Sequence, residues 1–177
     1  MASEYFKSGN YDQALMHQQQ IQELSRKYND QAALAGSLSE TGYIYQSVAD
    51  YEKAIEYYQK ALEEFEILQD KASIGLVLNR IGSTFKKIGD LEKALEYYQR
   101  SLAMRLELDD KRGIAGSYNN IANIYQNQQQ YKEALNLYFK ALDINKEIDN
   151  LHWQSINLGN IGFVYYLMGD FNKALEY

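Results

Sequence analysis

At many positions of this 177-residue chain, side chains forty residues apart are of one kind from end to end. Stepping by forty from Asn10 gives Asp50, Asp90, Gln130 and Asp170, and stepping from Ala14 gives Ala54, Ala94, Ala134 and Ala174. Further columns run Gly42, Gly82, Ala122, Gly162 and Tyr45, Phe85, Tyr125, Tyr165. The stretch DYEKAIEYYQKAL, which opens at Asp50, returns as DLEKALEYYQRSL from Asp90, and no insertion breaks the register anywhere. A fixed period of this kind marks a repeat architecture, in which one unit cannot bury its apolar face alone and stacks on the next.

Each period holds two helical patterns. Ala54, Ile55, Tyr58, Ala61, Leu62 and Phe65 share one helix face, and Leu78, Ile81, Gly82, Phe85 and Ile88 share another. The spacing predicts helices over 11–29, 31–48, 51–69, 71–88, 91–109, 111–128, 131–149 and 151–168, with partial helices at both ends. Asp30, Asp50, Asp70, Asp90, Asp110 and Asp170 precede such runs, where a carboxylate accepts from otherwise orphaned N–H groups. Gly89 and Gly169 suit the left-handed residue that ends a helix. The glycine and alanine columns mark where paired backbones approach closely, with tyrosine and leucine filling the space beside them.

Composition removes several classes of chemistry. With no cysteine and no proline, the chain has no disulfide framework, thiolate zinc site or cysteine nucleophile. A net charge of −6 and a pI near 5.0 argue against nucleic acid as a partner, because phosphate contacts need basic residues. No apolar run is long enough to span a membrane and no signal segment opens the chain. A cytoplasmic chain is expected, although another soluble compartment fits the same features. His17 stands in a column with Tyr57, Tyr97 and Leu137, and reads as a packing residue; His152, beside Trp153, reads as a cap-region side chain. Glu63, Glu64 and Glu66 spread around a helix as a solvated face. With no phosphate-binding loop, metal spacing or nucleophile–base set, no catalytic residue, metal or cofactor is expected, and the chain does not read as an enzyme.

In order and spacing these columns resemble tetratricopeptide repeats. The large, aliphatic, small and aromatic positions of that family's first helix are matched by Leu78, Ile81, Gly82, Phe85 and by Tyr118, Ile121, Ala122, Tyr125. Its second-helix alanine, aromatic and alanine are matched by Ala54, Tyr58, Ala61 and by Ala134, Tyr138, Ala141. Two features depart from the pattern: the period is forty where the family's is about thirty-four, and the proline that follows the second helix is absent. Repeats of this longer kind are similar to those of Leu-Gly-Asn proteins, kinesin light chains and Rap-type regulators. The resemblance implies an all-α, right-handed superhelical solenoid of antiparallel helical hairpins. It implies one array over residues 1–177: a partial repeat 1–30, repeats 31–70, 71–110 and 111–150, and a partial repeat 151–177.

In the family the first helix of each hairpin lines a concave groove. Carried over, the groove would present Ser39, Glu40, Tyr43, Gln46, then Asn79, Arg80, Ser83, Lys86, Lys87, then Asn119, Asn120, Asn123, Gln126, Asn127, and finally Asn160, Phe163 and Tyr166. Asparagine is a poor mid-helix residue, and its amide both donates and accepts, so such a ladder suits the backbone of a bound peptide. Asn79, Arg80, Ser83, Lys87, Asn119, Asn120, Asn123, Asn127, Asn160 and Phe163 are the peptide-binding candidates, with Asn120 and Asn123 facing solvent and Arg80 and Lys87 favouring an acidic ligand. The family's two-carboxylate clamp is matched in part by Arg80, Asn120 and Asn123, but Asn119 replaces its lysine and Asn160 its final arginine. A scaffold that binds a protein or peptide in this groove is the leading expectation. A sensory or regulatory module of a larger kinase or transcription regulator is the second, and self-assembly through repeat ends the third. The sequence also reads as a fragment of a longer array. Met1 to Gly9 carries Ala2 and Tyr5 in first-helix columns, while FNKALEY leaves Phe171, Ala174 and Leu175 uncovered, which favours end-to-end association.

Overall fold

In a computed structural model, the described residues are 10–177 and comprise helices α1 (Tyr11–Tyr28), α2 (Gln31–Ser47), α3 (Tyr51–Ile67), α4 (Lys71–Ile88), α5 (Leu91–Glu107), α6 (Lys111–Asn127), α7 (Tyr131–Glu147), α8 (Leu151–Leu167) and α9 (Phe171–Glu176). The helices begin where the caps predict and end up to two residues earlier than expected. Ala2 and Tyr5 lie outside the described residues. The chain divides into two compact units, Met1–Tyr97 and Tyr98–Tyr177, with the boundary inside α5.

Short turns of one kind recur throughout. Asn29, Ala49, Gln69, Gly89, Asp109, Gln129, Asp149 and Gly169 all adopt positive φ, from 50° to 93°. The N–H of the residue after each bonds back to the carbonyl five positions earlier, as in Asp30 to Ser25 (2.8 Å), Asp90 to Phe85 (3.0 Å) and Asp170 to Tyr165 (3.0 Å). That same residue then caps the following helix. Asp30, Asp70 and Asp110 accept through Oδ1 from the N–H groups of Ala33, Ser73 and Gly113 at 3.0, 3.1 and 3.0 Å. One residue thus closes one helix and opens the next, which leaves no room for an insertion. Gln130 alone among the eight following residues makes no side-chain cap bond.

In the first unit the small columns sit at helix contacts. A Cβ added to Gly42 on α2 would lie 2.7 and 2.8 Å from the Tyr58 ring and 3.1 Å from the Ala54 carbonyl of α3. Ala54 and Tyr58 are fully buried, as is Ala14 on α1. Tyr45 stacks on Tyr57 at 5.4 Å between ring centres, and Lys53 lies over Tyr45 while pairing with the cap Asp50 at 3.0 Å. The α1–α2 interface is more polar: Gln22 Nε2 donates to Thr41 Oγ1 (3.0 Å), and Ser37 Oγ donates to Gln18 Oε1 (2.8 Å). Gln18 and Gln22 take the places that Tyr58 and Leu62 fill in α3.

The second unit repeats the scheme. Ala122, Ala134, Tyr138, Leu142, Ile161 and Val164 form its core. Gly162 faces the Ala174 carbonyl, 3.3 Å from an added Cβ, and Tyr177 stacks on Tyr165 at 5.7 Å, the counterpart of Tyr57 on Tyr45.

Candidate functional site

The first helices of the hairpins carry the candidate residues, and each unit presents its own strip. In the first unit α2 and α4 are tied together at two levels. Gln46 Nε2 donates to Thr84 Oγ1 at 2.7 Å, and Thr84 Oγ1 in turn donates to the Arg80 carbonyl at 2.9 Å. The Arg80 guanidinium spans the helices from the other direction. Its Nη1 donates to Ser39 Oγ (2.9 Å), both Nη1 and Nη2 reach Glu40 Oε1 at 3.0 Å, and its plane lies 5.1 Å over the Tyr43 ring. Arg80, expected to favour an acidic ligand, is therefore already paired within its own strip, its charge met by Glu40.

The uncommitted charge lies nearly two turns further along α4. Lys86 is half-buried, has no hydrogen-bond or ion-pair partner among the described residues, and is held below the usual lysine range by burial. Lys87 beside it is exposed and likewise has no carboxylate partner there. Asn79 and Ser83 are half-buried on the same helix.

In the second unit the asparagines separate by role. Asn119 does not line an open strip. It is buried at 3% exposure, donates to the Ala115 carbonyl (3.0 Å), and accepts from Asn157 Nδ2 (2.6 Å). Asn157 Oδ1 then accepts from Asn145 Nδ2 at 2.8 Å, so three buried amides link α6, α8 and α7. Asn123 is half-buried and is not a free solvent-facing side chain. It donates to the Asn119 carbonyl (2.9 Å), and its Oδ1 lies 2.9 Å from the Tyr138 hydroxyl, which is 3.0 Å from Gln126 Oε1 as well. Asn120 and Asn160 are half-buried, Asn127 is exposed, and Phe163 and Tyr166 stack at 6.3 Å on the exposed side of α8.

The pairing of Glu40 with Arg80, the bonds of Tyr138 to Asn123 and Gln126, and the Asn145–Asn157 pair were not anticipated from sequence. A usable signal did exist for the last. Asn145 shares a column with Phe65, and Asn157 shares one with Val77, so both are polar residues written into core positions. Tyr58 shows how the same column diverges. Its hydroxyl is buried without a partner, because Tyr43 stands where Tyr138 meets Asn123 and Gln46 is turned to Thr84. Burial raises its pKa; the nearby Arg80 opposes the shift and Glu40 adds to it. Among the described residues no group of histidine, aspartate or glutamate could hold a metal ion, and no helix is long and apolar enough to cross a membrane.

Helical hairpins in register, joined by turns of two or three residues and packed through small-residue columns, define an all-α repeat protein of the protein-interaction class. The tetratricopeptide repeat pattern matches residues 1–66, 35–107 and 113–177, and the chain belongs to that family. No curated protein sequence matches it. Among solved structures it is similar to putative kinesin light chain TPR-like repeats from Podosopora anserina (16% identity, TM-score 0.80, 99% of this chain and 87% of that one). It is similar also to a Signal Transduction ATPase with Numerous Domains protein with a tetratricopeptide repeat sensor from Pyrococcus horikoshii (24%, TM-score 0.84, 93% and 26%). A third is a Rap protein complexed with Competence and Sporulation Factor (21%, TM-score 0.80, 99% and 49%). The chain spans about a quarter of the second and half of the third, and at these identities the likeness establishes the fold alone.

Proposed function

We propose that this interaction module binds an acidic, extended segment of a protein partner along its first-helix strips. In the first unit Lys86 and Lys87 supply the charge; on the second unit's own strip Asn127 and Asn160 supply amides for a bound backbone. The carrying observation is Lys86, a half-buried ammonium with no counter-ion among the described residues, in a chain of net charge −6. A carboxylate brought beside it restores the charge–charge interaction that burial has taken from water. The likeness to a Rap protein complexed with Competence and Sporulation Factor supports a bound partner on such a scaffold. The likeness to a protein with a repeat sensor supports a second reading, that binding serves a regulatory module of a larger protein.

The test compares a Glu/Gly peptide with a Lys/Gly counterpart by titration at low and high salt. The acidic peptide should bind and the basic one should not, with affinity falling about tenfold in the Lys86→Gln/Lys87→Gln variant and falling also with salt. Equal binding of the two peptides, or an unchanged affinity in the variant, overturns the reading.

A further inference from the structure

In the first unit a cavity of about 280 Å³ opens between α1, α2 and α3, lined chiefly by Ser25, Arg26, Asp30, Gln31, Leu34 and Glu64. Three departures from the repeat columns meet in it. Ser25 takes the place that Phe65 fills in α3, Arg105 in α5 and Asn145 in α7, so the missing bulk of one core position leaves the space. Glu64 stands in a column that is otherwise Leu24, Met104 and Ile144. Asp30 is the one cap aspartate whose second oxygen has no partner among the described residues. Asp50, Asp90 and Asp170 hold Lys53, Lys93 and Lys173 through Oδ2 at 3.0, 3.2 and 3.2 Å, Asp70 holds Ser73 Oγ at 2.6 Å, and Asp110 holds Arg105 Nη1 at 2.7 Å. Three residues after Asp30 stands Ala33, which has no polar side chain to offer. Ser25 is only 5% exposed, and its hydroxyl makes no hydrogen bond among the described residues.

The chain itself shows what suits a cap carboxylate beside this position. In the second unit Arg105 comes from the Ser25 column and lays its guanidinium on Asp110, the counterpart of Asp30, with Nε 3.3 Å from Ser101 Oγ. We propose that the Ser25 cavity binds the guanidinium of an arginine side chain presented by a protein partner. Asp30 Oδ2 would take one edge of the planar fork and Glu64 the other, with Gln31 Nε2 holding Glu64 Oε2 in place at 3.0 Å. Leu34 would cover the aliphatic stem, and the Ser25 hydroxyl would accept a further N–H. The guest cannot copy the path of Arg105, whose Nη1 lies 1.8 Å from where a Cβ on Gly113 would stand. Ala33 occupies that place in α2 and steers the guanidinium towards Glu64, which the second unit replaces by Ile144. Two carboxylates against the single exposed cation Arg26 give the cavity a net negative charge, which a guanidinium neutralises. No residue is shared with the Lys86 strip, so either reading can fail without the other.

The experiment titrates the 177-residue protein with the end-blocked pentapeptide Gly-Gly-Arg-Gly-Gly and follows the backbone NMR shifts of residues 25–34. Saturable binding is expected, and the same peptide with citrulline, which keeps the shape of arginine without its charge, should not bind. Asp30→Asn preserves the cap, since Asn10 and Asn150 accept through Oδ1 from the N–H groups of Gln13 and Trp153, and it should weaken binding about tenfold. Ser25→Phe supplies the residue that the next repeat carries as Phe65 and should abolish binding by filling the space, with helical circular dichroism unchanged. Arg26→Gln removes the cavity's own cation and should tighten binding. No saturable binding, equal binding of the citrulline peptide, or an affinity indifferent to Asp30→Asn overturns the proposal. Methylguanidinium, which lacks the stem that Leu34 covers, should bind more weakly than the pentapeptide. Equal binding of the two would assign the cavity to a small guanidinium compound and overturn the protein partner.

Discussion

At residue scale the eight turns form one experiment repeated with different side chains. The left-handed position is occupied by glycine only at Gly89 and Gly169, and elsewhere by Asn, Gln, Asp and Ala. Ala49, at φ 62°, has neither a polar side chain to bond locally nor glycine's freedom. Ala49→Gly should therefore stabilise the protein by about 0.5–1 kcal/mol, read as a shift in urea midpoint at unchanged slope. Gln130 is the defective cap of the series. Gln130→Asp places a carboxylate where seven other turns have a capping Asp or Asn, and should add about 1 kcal/mol. The two sites lie in different units and share no partner, so their effects should add. A midpoint that does not move for Gln130→Asp would mean that α7 draws nothing from its first turn.

At element scale, mid-helix glycines show what sequence reading resolves. Gly42 and Gly116 look alike in the sequence, each a poor helix former inside a helix. Around Gly42 an added Cβ strikes the Tyr58 ring, whereas around Gly116 it meets nothing within 4 Å. Gly42→Ala should cost about 1–3 kcal/mol by overpacking, and Gly116→Ala should gain about 0.5–1 kcal/mol from helix propensity. Thermal or urea unfolding of the two variants tests the contrast, which requires opposite signs. Gly42 was legible because its column is small in every repeat. Asn119 and Asn120 were both assigned to the groove by carrying over the family's first-helix lining, but successive residues on a helix point in different directions and Asn119 is delivered inward. A single sequence shows which positions repeat. It does not show which way a polar departure from a column is satisfied: Asn119 inside, Arg80 on its neighbour Glu40, Tyr138 on two amides.

At the scale of the whole molecule the buried tyrosines give the protein an alkaline limit. Burial pushes Tyr138 up to about 12 and raises Tyr58 as well, against a value near 10 in an unfolded chain. A raised folded pKa means that folding favours the protonated phenol. Stability from this source is whole below pH 10, declines as the unfolded chain ionises, and is lost as pH rises through 12. Helical circular dichroism should therefore hold to about pH 10 and collapse above it together with the last part of the tyrosinate absorbance, which comes from the buried phenols. The two tyrosines also part company under mutation. Tyr58→Phe removes a buried hydroxyl that has no partner, so it should be neutral or stabilising at pH 7 and should raise the pH of collapse. Tyr138→Phe deprives Asn123 and Gln126 of a shared donor and should cost about 1 kcal/mol at pH 7, although it too removes an ionisable group. A pH titration of the wild type and both phenylalanine variants decides the matter. If collapse occurs at the same pH in all three, the buried phenols do not set the limit, and if Tyr58→Phe costs as much as Tyr138→Phe at neutral pH, the Tyr58 hydroxyl has a partner after all.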